Sequence, residues 1–356
     1  MSSQDAESGM GTFFDSSSSL ALAATPTPTT PVPADAVATR ARNPRQRLEV
    51  PVFGAADVAL AVSLGAGRLE LNAAGSYAAG GTTPTIQELH SARSAISSSP
   101  HHQNSGGDQQ DVPLRVMIRP RGPPQEGVGD ESDFVYSDAE FDDMREVIVR
   151  FTQSGLLKAA SGDGFVFGVL RKGEDGRKRR VEVDVARNAE LVNLARPFAA
   201  VFHRAFDDVV GETDVAEKEE EEEEEEETEV RRVLEDVRSC GFGGILTSGG
   251  PGNALDRDNA AMLGRIIRLA AIAGRENAVE IIVGGGVRSE NIRALMSSLV
   301  GVEPAAERGG DGDATGVLGG VWFHSSCLLD RNGVRSFDGE EVQGLVKALA
   351  ERDTDG

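Results

Sequence analysis

The chain has 356 residues, room for one large domain or two ordinary ones, and its 36 Lys+Arg against 58 Asp+Glu leave a formal charge of −22, which argues against nucleic acid or an anionic membrane as its main partner. Its two cysteines, Cys240 and Cys327, lie too far apart to suggest a disulfide framework or a zinc knuckle, so a reducing intracellular compartment is the simpler expectation. The first 39 residues carry no Lys or Arg and no stretch approaches the ~20 apolar residues of a membrane span, so the expectation is a cytoplasmic protein, with a nuclear location left open.

Residues 1–45, rich in Ser, Thr, Pro and Ala, bury too little to offset the entropy of ordering and read as a disordered tail. From 46 to 352 the chain alternates short β-rich runs with amphipathic helical stretches. The strands are expected at 47–52, 68–72, 114–119, 164–170, 199–204, 243–247, 280–283 and 320–324. The helices that follow are expected at 55–64, 84–97, 138–154, 185–196, 229–240, 256–274, 289–299 and 339–351. Eight βα units in strict alternation favour a closed (β/α)8 TIM barrel over an open sheet. Polar stretches near 98–111, 122–132, 172–180, 211–228 and 303–316 read as loop insertions, because the pattern resumes after each. The punctuation agrees: Thr83-Pro84 offers an N-cap with proline behind it, Ser137/Glu140 and Asp338/Glu341 have capping-box spacing, and Gly65 and Gly67 can end the first helix.

In a parallel barrel the C-terminal strand ends converge on one mouth, where substrate sites are built. Here those ends are polar: Glu49 on the first strand, Glu70 and Asn72 on the second, Arg119 on the third, His203, Arg204 and Asp207 on the fifth. Thr247 to Gly250, Gly284 to Gly286 and His324 to Cys327 follow on the last three. Charges within barrel strands cost several kcal/mol if buried unpaired. Two explanations stand: a mutually satisfied polar layer, or a pocket in which Glu49, Glu70, Arg119, His203 and Asp207 are catalytic or binding groups.

The turns at Ser248, Gly249, Gly284, Gly285 and Gly286 expose backbone N–H groups that could cradle an anion, although glycine also serves tight turns without any ligand. His203, His324 and Cys327 offer imidazole and thiolate donors suited to Cu(I) or zinc, although a lone cysteine after a barrel strand is more often simply packed.

Taken in order, these segments resemble the CutC copper-homeostasis family. They include Leu48-Glu49-Val50, Arg68-Leu69-Glu70-Leu71, Gly80-Gly81-Thr82-Thr83-Pro84, Met117-Ile118-Arg119-Pro120-Arg121-Gly122 and Phe202-His203-Arg204-Ala205-Phe206-Asp207. Leu246-Thr247-Ser248-Gly249-Gly250, Gly284-Gly285-Gly286-Val287-Arg288 and Phe323-His324-Ser325-Ser326 complete the series. The resemblance implies a TIM barrel, copper as the bound ion, and a homo-oligomer, with no firmly assigned reaction. It also exposes a departure. Where the family has a cysteine shortly after the strand-one glutamate and another in a Glu-Leu-Cys motif, this chain has Pro51 and Asn72. The groups that do match suit a small anionic ligand as well as a metal, so the partner expected is copper or a small anionic metabolite.

Overall fold

Each apolar run that reads as a barrel strand pairs in parallel with the next, and the last returns to the first. The computed structural model describes residues 47–99, 111–124, 132–173, 181–211, 220–272, 279–300, 320–331 and 333–351. The expected tail at 1–45 and the insertion at 303–316 lie outside these, as do most of the other expected insertions. The strands are β1 (Leu48–Phe53), β2 (Arg68–Asn72), β3 (Leu114–Met117), β4 (Gly164–Phe167), β5 (Leu170–Lys172) and β6 (Val181–Val183). There follow β7 (Ala199–Phe202), β8 (Gly244–Thr247), β9 (Glu280–Val283), β10 (Val321–His324), β11 (Leu328–Arg331) and β12 (Val334–Phe337). The closed barrel runs β1-β2-β3-β4-β7-β8-β9-β10, with β10 paired to β1. The (β/α)8 architecture is therefore as the alternation predicts.

Two antiparallel hairpins, β5–β6 and β11–β12, stand outside the barrel. The fourth barrel strand is consequently shorter than the apolar run 164–170 suggests: it stops at Phe167, and Leu170 starts a hairpin whose far strand is Val181–Val183. The helices also differ in detail. The second begins at Ile86 with Thr85 as N-cap in place of Thr83, and the Thr85 hydroxyl and Glu88 carboxylate complete a capping box. Ser137 and Glu140 form the expected box. Asp338 caps the last helix through the N–H groups of Glu340 and Glu341, but the Glu341 carboxylate is turned away to Ser289. The polar insertion expected to run to 228 instead contributes to a helix, Glu220–Ser239, which takes in most of the glutamate run. Glutamate is a good helix former, and negative charge is favoured at a helix N-terminus; Arg265 on the next helix also pairs with Glu226.

Successive strand residues point to opposite faces. The outward set, including Leu48, Val50, Val52, Leu69, Leu71 and Phe165, packs against the helices. The inward set divides. Met117, Val166, Val201, Leu246, Ile282 and Trp322 form a separate apolar cluster inside the barrel, whereas β1, β2, β3 and β9 direct Glu49, Arg68, Glu70, Arg115 and Glu280 to the same interior face.

Candidate functional site at the barrel mouth

Register explains how the charged half of the interior is satisfied. Glu49 sits level with Arg68 on β2 and with His324 on β10, so its carboxylate lies between two inward side chains on adjacent strands. Its Oε2 accepts from Arg68 Nε and its Oε1 meets His324 Nδ1 at 2.8 Å. Burial alone would raise the Glu49 carboxyl, but Arg68 and the His324 hydrogen bond outweigh it and hold the pKa at about 2. Arg68 also donates from Nη1 to Glu280 at 2.7 Å and lies 4.0 Å over the Trp322 ring. Glu49 is thus not at the end of its strand, as expected from the sequence, but four residues inside it, joining a salt-bridged floor to the mouth.

Above this floor stand Glu70 and His324. Glu70 is buried; its Oε1 accepts from Asn72 Nδ2 at 3.0 Å and its Oε2 has no partner among the described residues. Burial pushes its pKa up, and neighbouring Glu49 adds to the rise while the His324 charge opposes it. For His324 burial acts downward, but the Glu49 hydrogen bond and the Glu70 and Glu49 charges prevail and raise the pKa. Donor atoms of Glu49, Glu70 and His324 all lie within 4.8 Å of one another, the one such group of three His, Cys, Asp or Glu among the described residues.

The trio expected from sequence, His203, His324 and Cys327, is not brought together as a group. Cys327 is fully buried with a left-handed backbone (φ 50°), donates its Sγ to Ser325 O at 3.5 Å, and is absent from the lining of the mouth. Burial pushes its thiol up to about 12, and that of Cys240 likewise. Burial thus favours the protonated thiol in both, whereas the thiolate is the ligand form.

The mouth is a cavity of about 500 Å³. Pro51, Phe53, Met117, Phe134 and Leu246 supply its apolar wall, and Arg119, Arg204, Arg288, His203 and His324 reach it from other strands. Arg119, expected to hold an anion, is already engaged: Nη1 donates to the carbonyls of Ala79 and Gly81 and Nη2 to Asp133 at 2.8 Å. It fastens the loop after β2 and the segment before Phe134. Asp207 is likewise saturated, accepting from Arg204 Nε at 2.7 Å, Thr247 Oγ1 at 2.5 Å, and Ser248 N and Oγ. It braces the end of β8 and offers no free oxygen for proton transfer.

The expected anion cradle separates in the same way. Ser248 N donates to Asp207, Gly249 N to Thr247 Oγ1 and Gly284 N to Thr247 O, so three of the five turn positions spend their N–H groups internally. Gly285 and Gly286 remain. His203 is buried, accepts the Ala205 N–H at Nδ1 (3.3 Å) and leaves Nε2 without a partner among the described residues; burial and the nearby Arg119 charge lower its pKa to about 3, so its ring is neutral. Sequence reasoning missed Arg68, Arg115, Glu280 and Arg288. The alternation Arg68-x-Glu70-x-Asn72 and Arg115-x-Met117-x-Arg119 carried the signal, since residues two apart share a face.

A family model described as CutC family matches residues 46–221. The family protein CutC of Chromobacterium violaceum is 31% identical over 304 residues, covering 85% of this chain and 97% of that protein. The chain belongs to the CutC family. A mouse relative named copper homeostasis protein cutC homolog is 30% identical over 232 residues, 65% of this chain and 62% of its own length. The crystal structure of CutC from Streptococcus agalactiae superposes with a TM-score of 0.51 at 22% identity, covering 78% of this chain and 97% of that one, which bears on the fold alone. In this CutC chain, Pro51 lines the cavity and Asn72 donates to Glu70, so the two positions where the resemblance leads one to expect cysteine lie in the site or directly against it. Carboxylate and imidazole are harder donors than thiolate. The residues present therefore fit a divalent ion, and they do not fit Cu(I) held by sulfur. Among the described residues no helix is long and apolar enough to cross a membrane.

Proposed function

We propose that this chain serves copper homeostasis by binding copper as a divalent ion at the barrel mouth, through oxygen and nitrogen donors. The observation that carries this reading is the convergence of Glu49, Glu70 and His324 within 4.8 Å. Glu49 takes Nδ1 of His324 and fixes the ring, which leaves Nε2 for the ion, the arrangement in which a carboxylate orients a ligating histidine. Glu70 contributes Oε2, the oxygen without a partner among the described residues. Arg68 balances Glu49, so the net negative charge available to the ion comes from Glu70.

The test is titration of the full chain with Cu(II), followed by electron paramagnetic resonance. A specific site gives one copper per chain with nitrogen coupling that disappears in His324→Ala, and weaker binding in Glu70→Gln. Tight Cu(I) binding lost on Cys327→Ser, with no specific Cu(II) site, overturns it.

A further inference from the structure

The mouth is much larger than one ion requires. A cavity of about 500 Å³ lies in the range that encloses small organic molecules, and its chemistry changes from one side to the other. Glu70 and His324 stand on the β2 and β10 side. After β9, Gly285 (φ 87°) and Gly286 (φ 76°) turn through two consecutive left-handed conformations. Packing demands glycine there: a Cβ on Gly286 would sit 2.5 Å from Asn253 Oδ1, and one on Gly285 2.8 Å from Ser248 Cβ. Packing does not account for their N–H groups, which donate to no acceptor among the described residues. Successive N–H groups in such a turn form a concavity suited to anions. Beside them Arg288 spends Nη1 on Val287 O and Ser325 Oγ, while its Nε and Nη2 make no bond among the described residues.

A second, independent feature lies in the same cavity. His203 is 3% exposed and lines the mouth, and its Nε2 is buried without a partner among the described residues. Because Nδ1 accepts the Ala205 N–H, the ring proton is on Nε2. This is a neutral, fixed donor that a ligand oxygen would satisfy, and a buried donor left unmatched is costly.

We propose that the barrel mouth binds a small organic anion, its phosphate or carboxylate held by the Gly285 and Gly286 N–H groups and Arg288. A second oxygen accepts from His203 Nε2, and the carbon skeleton lies against Pro51, Phe53 and Met117. The site does not depend on the metal reading, since none of these groups is a donor to the proposed ion.

The experiment is calorimetric titration of the full chain, in the presence of EDTA, with glycerol 3-phosphate, glycerate and glycerol. At least one charged probe should bind while glycerol does not, and the stronger of the two identifies the anionic group as phosphate or carboxylate. Arg288→Ala should weaken that binding at least tenfold. Equal behaviour of the charged probes and glycerol, or an Arg288→Ala variant that binds like the parent, overturns the proposal. Should Arg288→Ala fail to fold, the amide resonances of Gly285 and Gly286 in the unaltered chain decide: they must shift on addition of the charged probe, and unmoved resonances refute the site. EDTA keeps this outcome separate from that of the copper titration.

Discussion

Glu49 Oε1 and His324 Nδ1 lie 2.8 Å apart on paired strands, with the other Glu49 oxygen on Arg68. One carboxylate thus both neutralises a buried guanidinium and orients the imidazole above it. Glu49→Gln preserves the shape and removes the charge. It should destabilise the barrel, as read by urea unfolding, by less than the about 3–5 kcal/mol of a buried ion pair broken outright, because Glu280 still pairs with Arg68. The His324 pKa, followed by NMR, should fall in the same variant; an unchanged unfolding midpoint and an unchanged titration would contradict this role.

His203 makes stability depend on acidity. Its folded pKa is about 3 against an ordinary 6.5, so between those values the unfolded chain binds a proton that the folded chain refuses. Acidification therefore favours unfolding. The stability His203 contributes is complete above 6.5 and is lost as pH falls towards 3, with a limiting slope of about 1.4 kcal/mol per pH unit. The difference between the parent and His203→Gln across that window isolates the effect, and superimposable pH profiles would count against it.

Copper affinity should depend on pH in the opposite region. His324 has a pKa raised above 6.5, and its Nε2 must lose a proton before it can ligate. Below the raised pKa, Cu(II) affinity should climb by about tenfold per pH unit and level off above it. Titrations in a non-coordinating buffer at successive pH values measure the slope; in His324→Ala the imidazole's share of the slope should vanish along with most of the affinity, leaving only that of Glu70, whose carboxyl is also raised by burial.

The donor set can be changed by design. Pro51 pairs in register with Glu70, and Asn72 with Phe53, on the adjacent strands β1 and β2 at the mouth. The double variant Pro51→Cys, Asn72→Cys places two thiols there, and competition against a Cu(I) chelator should show a gain of roughly a hundredfold or more over the parent, because thiolates prefer the softer ion. No gain would mean that the two positions cannot share one ion.

Much of this was legible in the sequence because a parallel barrel writes itself as an alternation of short apolar runs and amphipathic helices, and the eight units fall where the runs do. What resisted was local. Leu170 continues the apolar run of β4, so nothing in composition marks the point where the chain leaves the barrel for a hairpin. The glutamates from 220 onward look like a solvated loop until a helix N-terminus and Arg265 give them a place. In the site, Glu70, His203 and His324 reach the cavity as expected, whereas Arg119, Asp207 and Ser248 turn out to be spent on neighbours that no spacing rule reveals. Cys327 lies only three residues past the end of β10, yet its thiol is buried against Ser325 O and does not line the mouth. Proximity in sequence to His324 was a poor guide to direction.

The interior charges also bear on how the chain reaches its final form. Glu49 and His324 are separated by 275 residues, and Arg68 and Glu280 by 212. A nascent chain that has released only its first half-barrel carries Glu49 and Arg68 with each other but without the partners that complete them. Sequestering that half in a dry interior is disfavoured until β9 and β10 arrive. Such distant pairings slow closure and penalise partly assembled forms, so the barrel should snap shut in one late concerted event, and fragments ending before residue 280 should remain soft and susceptible to proteolysis.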